Sequence, residues 1–404
     1  MRTDLARADR AAAVRDAARS WRRAGILDEA AFAAVASRFP DDRARVGPVF
    51  RALFFLFTMI AVSGGAGFVA MAIGGGHDGV VAGWSLIAGL ALAAATDYLI
   101  GPLRRRQGGI EAAASLMAIA FLLAAAAWCL YSSGGLDLHL EDHLWALCLI
   151  AAVLAGVAAW RWGYPLYAGA ATAAAFAAGA HLPAARALWI VLPLAAAPAL
   201  LRLAESSRLP PAHRGSAMAV LLVALTGLYL AVHLGSWDRR LVEELGGRPA
   251  SAPDSPLSGL AHGGLPRWAA VAGTALVPIA LLALGLRRRR LPLLLAGTAA
   301  AAVSLVTLRH YLHFWPIWAV LCLAGALVIA LALAIWRYLE SGAGQERAGF
   351  TAAPLLTDRG RQALLEAAAT ALTFQPPSHA ATPAEPQFTG EGGRSGGAGA
   401  SGEF

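Results

Sequence analysis

Apolar residues in this chain run in long blocks instead of alternating with polar ones. Ten blocks stand out: 50–73, 79–100, 110–131, 144–160, 164–180, 185–203, 215–234, 268–286, 291–308 and 314–337. An apolar stretch of about 20 residues is long enough to cross the hydrocarbon core as a helix. A helix also satisfies its own backbone hydrogen bonds where no water is present. The pattern therefore predicts an all-α, polytopic integral membrane bundle of about ten transmembrane helices. In the fifth block, Ala168 to Ala180 holds only alanine and glycine apart from Thr172 and Phe176. Such small residues allow close helix approach, so this helix is expected inside the bundle. Pro193 and Pro198 predict a kink in the sixth.

Arginine supplies the orientation. With the N-terminus in the cytoplasm and the spans alternating, the inner segments carry Arg104, Arg105 and Arg106, then Arg161, then Arg202, Arg208 and Arg214, then Arg287 to Arg290. Counting both termini, 27 of the 33 basic residues fall inside and 6 outside. That bias follows the positive-inside rule and predicts an N-in, C-in protein. Trp128, Trp145, Trp160, Trp162, Trp268, Trp315 and Trp336 sit at block ends, where an amphipathic ring favours the membrane interface.

Three segments lie outside the bilayer in this reading. Residues 1–48 are expected to form a cytoplasmic helical hairpin. Asp4 caps its first helix, Gly25 closes that helix after Trp21, and Asp28 caps the second before Pro40. Leu5, Val14, Trp21, Ile26, Phe32 and Val35 would form its apolar seam. The hairpin either rests on anionic headgroups or docks a cytoplasmic partner. After the bundle of residues 49–338, with its outer loop 235–267, comes a cytoplasmic tail, 339–404. In the loop, Trp237 to Leu245 reads as an amphipathic surface helix and the remainder as coil. The tail holds one short helix, Arg359 to Leu372, before a Pro-, Gly- and Ser-rich stretch expected to be disordered. Its end, Gly392 to Phe404, is either a flexible tail or a terminal peptide captured by a partner.

Composition changes the picture in only a few ways. The 404 residues are 58% hydrophobic and 14% charged, with a net charge of +8. An ordinary soluble domain has about 25% charged residues, so the soluble class is excluded. All the basic residues are arginine. Their placement beside apolar blocks accounts for the high pI, and no nucleic-acid partner is expected. Cys129, Cys148 and Cys322 each lie in an apolar block without CxxC spacing, which indicates neither a disulfide framework nor a zinc site. No cleavable signal peptide is expected, because the first apolar block follows a charged segment and is too long for one.

Two regions resemble a bacterial membrane-protein family, domain of unknown function 2157 and its relatives. One is Trp21-Arg22-Arg23-Ala24-Gly25-Ile26-Leu27-Asp28-Glu29-Ala30, before the first span. The other is Arg309-His310-Tyr311, entering the last helical hairpin. The layout is similar over residues 15–340. The resemblance implies a bacterial inner-membrane location and supplies no catalytic residue.

Few groups carry candidate chemistry. An ionisable residue at mid-membrane is costly and usually functional, and none is expected there. Asp97 lies about a turn from the inner end of its helix, within reach of Arg104 to Arg106. Glu111 starts the third helix on the same side. Both read as interfacial anchors, with a functional carboxylate as the alternative. Eight of ten histidines fall on the outer side: His77, His139, His143, His181, His233, His262, His310 and His313. His139 and His143 are four apart, flanked by Asp137, Glu141 and Asp142; His310 and His313 are three apart. Both spacings put two imidazoles on one helical face, as metal binding requires, and histidine also suits pH sensing. Against this, the rule that keeps arginine out of short outer loops leaves histidine there as a tolerated polar residue. Arg309 either binds lipid phosphate or an acidic partner, together with His310 and Tyr311, or simply snorkels to the headgroups. Trp21 is a further candidate contact for lipid or partner. Gly64, Gly65 and Gly67, with Gly74 to Gly76, permit helix contact or a turn and form no nucleotide loop.

These readings favour a non-enzymatic membrane scaffold or regulatory component, with membrane lipid and a protein partner as its contacts and no cofactor. The alternative is a transporter or channel for a small solute, motivated by the number of spans. A membrane enzyme or metal sensor with an outer histidine site ranks third.

Overall fold

The computed structural model describes residues 3–23, 25–39, 48–73, 78–103, 108–133, 143–182, 184–206, 208–237, 267–312, 316–341, 346–347 and 350–351. The chain divides into two units, Met1–Val328 and Ile329–Phe404.

Among its described residues the first unit is helix and turn. It opens with a hairpin of α1, Thr3–Arg23, and α2, Glu29–Arg38. Asp4 lies within the first turn of α1 and not at the N-cap expected for it. The turn between the two helices is built as expected. Gly25 adopts φ +73°, and its N–H bonds the Arg22 carbonyl while that of Ile26 bonds the Trp21 carbonyl. This pair of bonds is a Schellman ending, which favours glycine because the left-handed conformation crowds a Cβ. Asp28 then caps α2 by accepting the Ala31 N–H at 2.7 Å. Arg22 locks the hairpin by pairing with Glu29 at 2.7 Å and lying over the Phe32 ring. The expected seam is only partly buried: Trp21 is 50% exposed and Ile26 72%. Ala18 of α1 is fully buried, small enough to let a neighbouring element close on it.

The apolar blocks fold as α3 (Pro48–Ala72), α4 (Asp78–Ile100), α5 (Ile110–Ser133), α6 (Leu144–Trp162), α7 (Pro165–Gly179), α8 (Ala185–Glu205), α9 (Pro211–Val232), α10 (Arg267–Arg287), α11 (Leu291–Leu312) and α12 (Ile317–Glu340). Among the described residues, eight helices are long and apolar enough to cross a membrane: α3 to α6 and α8 to α11. Helix α7 has 15 residues, a rise of about 22 Å, which is shorter than a typical span. Pro193 and Pro198 both lie within α8.

Consecutive helices pack as antiparallel pairs, α4 on α5, α6 on α7, α8 on α9 and α10 on α11. Local sequence makes the tight connections. After α6, Gly163 takes φ +71° and its N–H bonds the Ala159 carbonyl. Pro165 then opens α7, where its missing N–H costs nothing. Pro211 opens α9 in the same way. Between α10 and α11 the turn falls on Arg288–Arg290, and Arg289 adopts a left-handed φ of +50°.

Two cores follow. The first joins α4 to α7 around Ile100, Ala118, Ala155, Ala159, Trp162 and Tyr167. The second joins α8 to α11 around Leu201, Leu221, Leu225, Tyr229, Leu281 and Leu293. Helix α7 also packs on α9, with Gly169 against Val223 and Ala219, so the expected role of its small residues appears in the packing. Helix α3 behaves differently. Gly64, Gly65 and Gly67 have nothing within 4 Å of the place a Cβ would occupy among the described residues. The tight contact of α3 lies near its beginning, where the Arg51 carbonyl sits 2.2 Å from the Cβ position of Gly109.

The second unit contains the latter part of α12 and a two-residue antiparallel pairing of Glu346–Arg347 with Phe350–Thr351. The region expected as helix Arg359 to Leu372 and the ending Gly392 to Phe404 lie outside the described residues, as does the expected loop helix from residue 238 onward.

Candidate functional site

The two carboxylates singled out in the sequence both hold backbone and helices together. Asp97, near the end of α4, takes Arg161 of α6 side-on, with Nε 2.8 Å from Oδ2 and 3.1 Å from Oδ1. Trp162 Nε1 donates to Oδ1 at 2.9 Å. Arg161 comes from the following hairpin; the expected partners Arg104 to Arg106 lie outside the described residues. Glu111, in the first turn of α5, is 1% exposed. Its Oε1 accepts the N–H groups of Gly108 at 2.9 Å and Gly109 at 3.3 Å. An anion at a helix N-terminus is favourable, because unpaired N–H groups and the helix dipole both point at it. This carboxylate closes the turn that Gly109 makes against α3.

One histidine of each expected metal pair falls outside the described residues. His139 and His313 lie outside them, with His77 and His262. No group of three or more His, Cys, Asp or Glu side chains comes together among the described residues. His143 occupies the N-cap position of α6, and its Nε2 is shielded from solvent without a hydrogen bond. His310 stacks edge-on against Tyr311 at 5.1 Å in the last turn of α11. The Nε of Arg309 is shielded and makes no hydrogen bond. Cys148 and Cys322 are free thiols.

The most developed polar cluster lies elsewhere, at the end of α9, and sequence reasoning missed most of it. Arg186, in the first turn of α8, is 3% exposed. Its Nη1 donates to the Ala231 carbonyl at 2.7 Å and its Nη2 to the Ser236 carbonyl at 3.0 Å. The guanidinium thereby satisfies carbonyls left over where α9 ends, and a cation at a helix C-terminus also complements the dipole. The Leu234 N–H donates to Thr274 Oγ1 at 2.8 Å, which ties the same turn to α10. Tyr229 Oη lies 3.1 Å from the Ala300 carbonyl and 2.7 Å from Ser304 Oγ. Ser304 in turn reaches the Thr274 carbonyl at 2.6 Å.

His233 stands one residue past the end of α9. Its Nδ1 accepts the Gly235 N–H at 3.2 Å, so in the neutral ring the proton resides on Nε2. That nitrogen faces Thr307 Oγ1 at 3.0 Å, and the threonine donates onward to the Val303 carbonyl. Burial lowers the pKa of His233, as it does for His181. The cluster thus consists of backbone carbonyls, hydroxyls, a neutral imidazole and one guanidinium. Its chemistry is that of a fastener: it fixes the register of α8, α9, α10 and α11 and presents no activated nucleophile. The available sequence signal was an arginine at the start of the sixth apolar block, together with hydroxyl residues inside the later blocks.

A cavity of about 370 Å³ opens between α6, α7, α8 and α9, walled mainly by alanine, aromatic and aliphatic side chains. No known protein family matches the chain, and it matches neither a curated protein nor a solved structure.

Proposed function

We propose that this chain is a multipass membrane scaffold or regulatory component, with both ends in the cytoplasm, that works by engaging a protein partner. The single observation that carries the reading is the N-terminal hairpin. It is folded, capped at Asp28 and closed at Gly25. It packs on α9 through α1, and Arg10 donates to the Arg208 carbonyl at 3.1 Å. Yet Trp21 and Ile26 remain open on its surface. A rigid module that presents an aromatic and a branched aliphatic side chain has the features of a protein-docking site.

The orientation is supported by which helix ends meet. Arg10 reaches the loop before α9, and Arg288 pairs with Glu205 at 3.0 Å. Asp97 pairs with Arg161. Arginine alternation assigns every one of these residues to the inner side. The same alternation uses ten spans, counting α7 and α12. The resemblance to the domain of unknown function 2157 family belongs to the proposal too, and with it a bacterial inner-membrane location.

Three experiments test the reading. Single-cysteine accessibility labelling at positions 10 and 208 should give protection from an impermeant outer reagent, and position 236 should react. Reaction at position 10 overturns the orientation. The double variant Trp21→Glu, Ile26→Glu, checked for unchanged thermal stability, should lose a specific co-purifying protein. Solute uptake into liposomes that disappears with Arg309→Ala would sink the scaffold reading in favour of a transporter.

A further inference from the structure

We infer that the basic rim where α8 and α10 end binds the headgroup of an anionic phospholipid, with Arg202, Arg208 and Arg287 serving its phosphate. The inference rests on the proposed bilayer placement. Arg202 stands in the last turn of α8 and Arg287 in the last turn of α10. Both helices are long and apolar enough to cross a membrane. Arg208 lies in the connection from α8 to α9.

Contacts between elements gather these residues into one rim. Arg288, in the turn after α10, pairs with Glu205 at 3.0 Å, which brings that turn to the end of α8. Arg10 of α1 donates to the Arg208 carbonyl at 3.1 Å, which adds a guanidinium from the hairpin. Arginines from three separate stretches of chain thus share the rim.

Charge decides what covers it. Residues 202–214 hold three arginines and one acid, Glu205, and residues 287–290 hold four arginines and no acid. Glu205 is already engaged by Arg288. Arg202, Arg208 and Arg287 are exposed, and among the described residues their side chains have no hydrogen-bond or ion-pair partner. Like charges held together repel, so an anion from outside the chain is favoured, and the planar guanidinium fork matches phosphate oxygens. The neighbouring side chains select a lipid over a free anion. Leu203 and Leu286 each adjoin one of these arginines and are 45% and 48% exposed. An acyl chain descending from a phosphate at the rim would lie along such side chains. A zwitterionic headgroup would leave the excess positive charge unmatched.

The test uses the full-length protein, stripped of lipid in detergent and then incubated with phosphatidylglycerol or phosphatidylcholine of identical chains. Bound lipid is counted by native mass spectrometry. The unmodified protein should prefer phosphatidylglycerol roughly tenfold, each arginine contributing about fivefold at most. The triple variant Arg202→Gln, Arg208→Gln, Arg287→Gln should erase that preference. A variant of the same net charge, Arg23→Gln, Arg38→Gln, Arg337→Gln, should keep it. Glu205→Gln, which frees Arg288, should raise phosphatidylglycerol retention severalfold. Excess inorganic phosphate should not displace the lipid, because it offers nothing to the two leucines. Equal retention of the two lipids by the unmodified protein overturns the inference. So does an equal loss of preference in the two triple variants, or displacement by phosphate. Retention of neither lipid would instead count against the bilayer placement, and labelling at positions 10 and 208 reports separately on which side the rim faces.

Discussion

The guanidinium of Arg161 approaches the carboxylate of Asp97 side-on, with Nε contacting both oxygens, while Trp162 secures Oδ1 from the same helix end. One acid thus ties α4 to α6, which belong to different helical pairs. The bond spans 64 residues of sequence.

Both side chains of that pair are partly exposed, so its strength is limited by solvent screening. Asp97→Ala should lower stability by about 1 kcal/mol, and Arg161→Ala by a similar amount. The coupling from a double-variant cycle should be no more than about 1 kcal/mol. Asp97→Asn should recover part of the loss, because an amide oxygen still accepts from Trp162. Thermal melts in detergent check this. A coupling near zero, with Asp97→Asn no better than Asp97→Ala, would contradict the structural role.

Gly109 and Gly25 make a matched comparison. Both have positive φ, +95° and +73°, but only Gly109 faces backbone, with the Arg51 carbonyl 2.2 Å from its would-be Cβ. Gly25 has nothing within 4 Å. Gly25→Ala should therefore cost only the left-handed penalty, about 1 kcal/mol. Gly109→Ala must also push α3 away from α5, and should cost roughly 3 kcal/mol or more in combined strain and lost packing. Equal melting temperatures for the two variants would disprove the close approach.

Acid should weaken the α9 cluster. The folded pKa of His233 is pushed below its ordinary value by burial, so the unfolded chain binds a proton first as the pH drops. The stability linked to this group is fully present above about pH 6.5 and is lost as the pH falls from there to the lowered folded value. Protonation also replaces the Nδ1 acceptor with a donor facing the Gly235 N–H. His181 shifts the same way for the same reason. A His181→Asn, His233→Asn variant should show a flatter decline in melting temperature between pH 7.5 and pH 5 than the unmodified protein. An identical decline would show that other groups set the acid sensitivity.

Much of the architecture could be read from the chain because its causes are local. A long apolar block specifies a helix by itself in the absence of water, and among the described residues eight helices are long and apolar enough to cross a membrane. Gly25 and Asp28 announced their turn and cap because those conformations favour those residues wherever they occur. The polar fastening could not be read in this way. Ser304, Tyr229 and Thr274 are unremarkable in an apolar block, and Arg186 looks like one more interfacial arginine. Only packing four helices together brings these groups to their partners, because each partner comes from a separate part of the chain. The same holds for the bond of Asp97 to Arg161, two residues 64 apart in sequence. Hydrocarbon burial and backbone geometry act over a few residues and leave their mark in sequence. Pairing depends on which helix faces which, and that is decided only when the bundle closes.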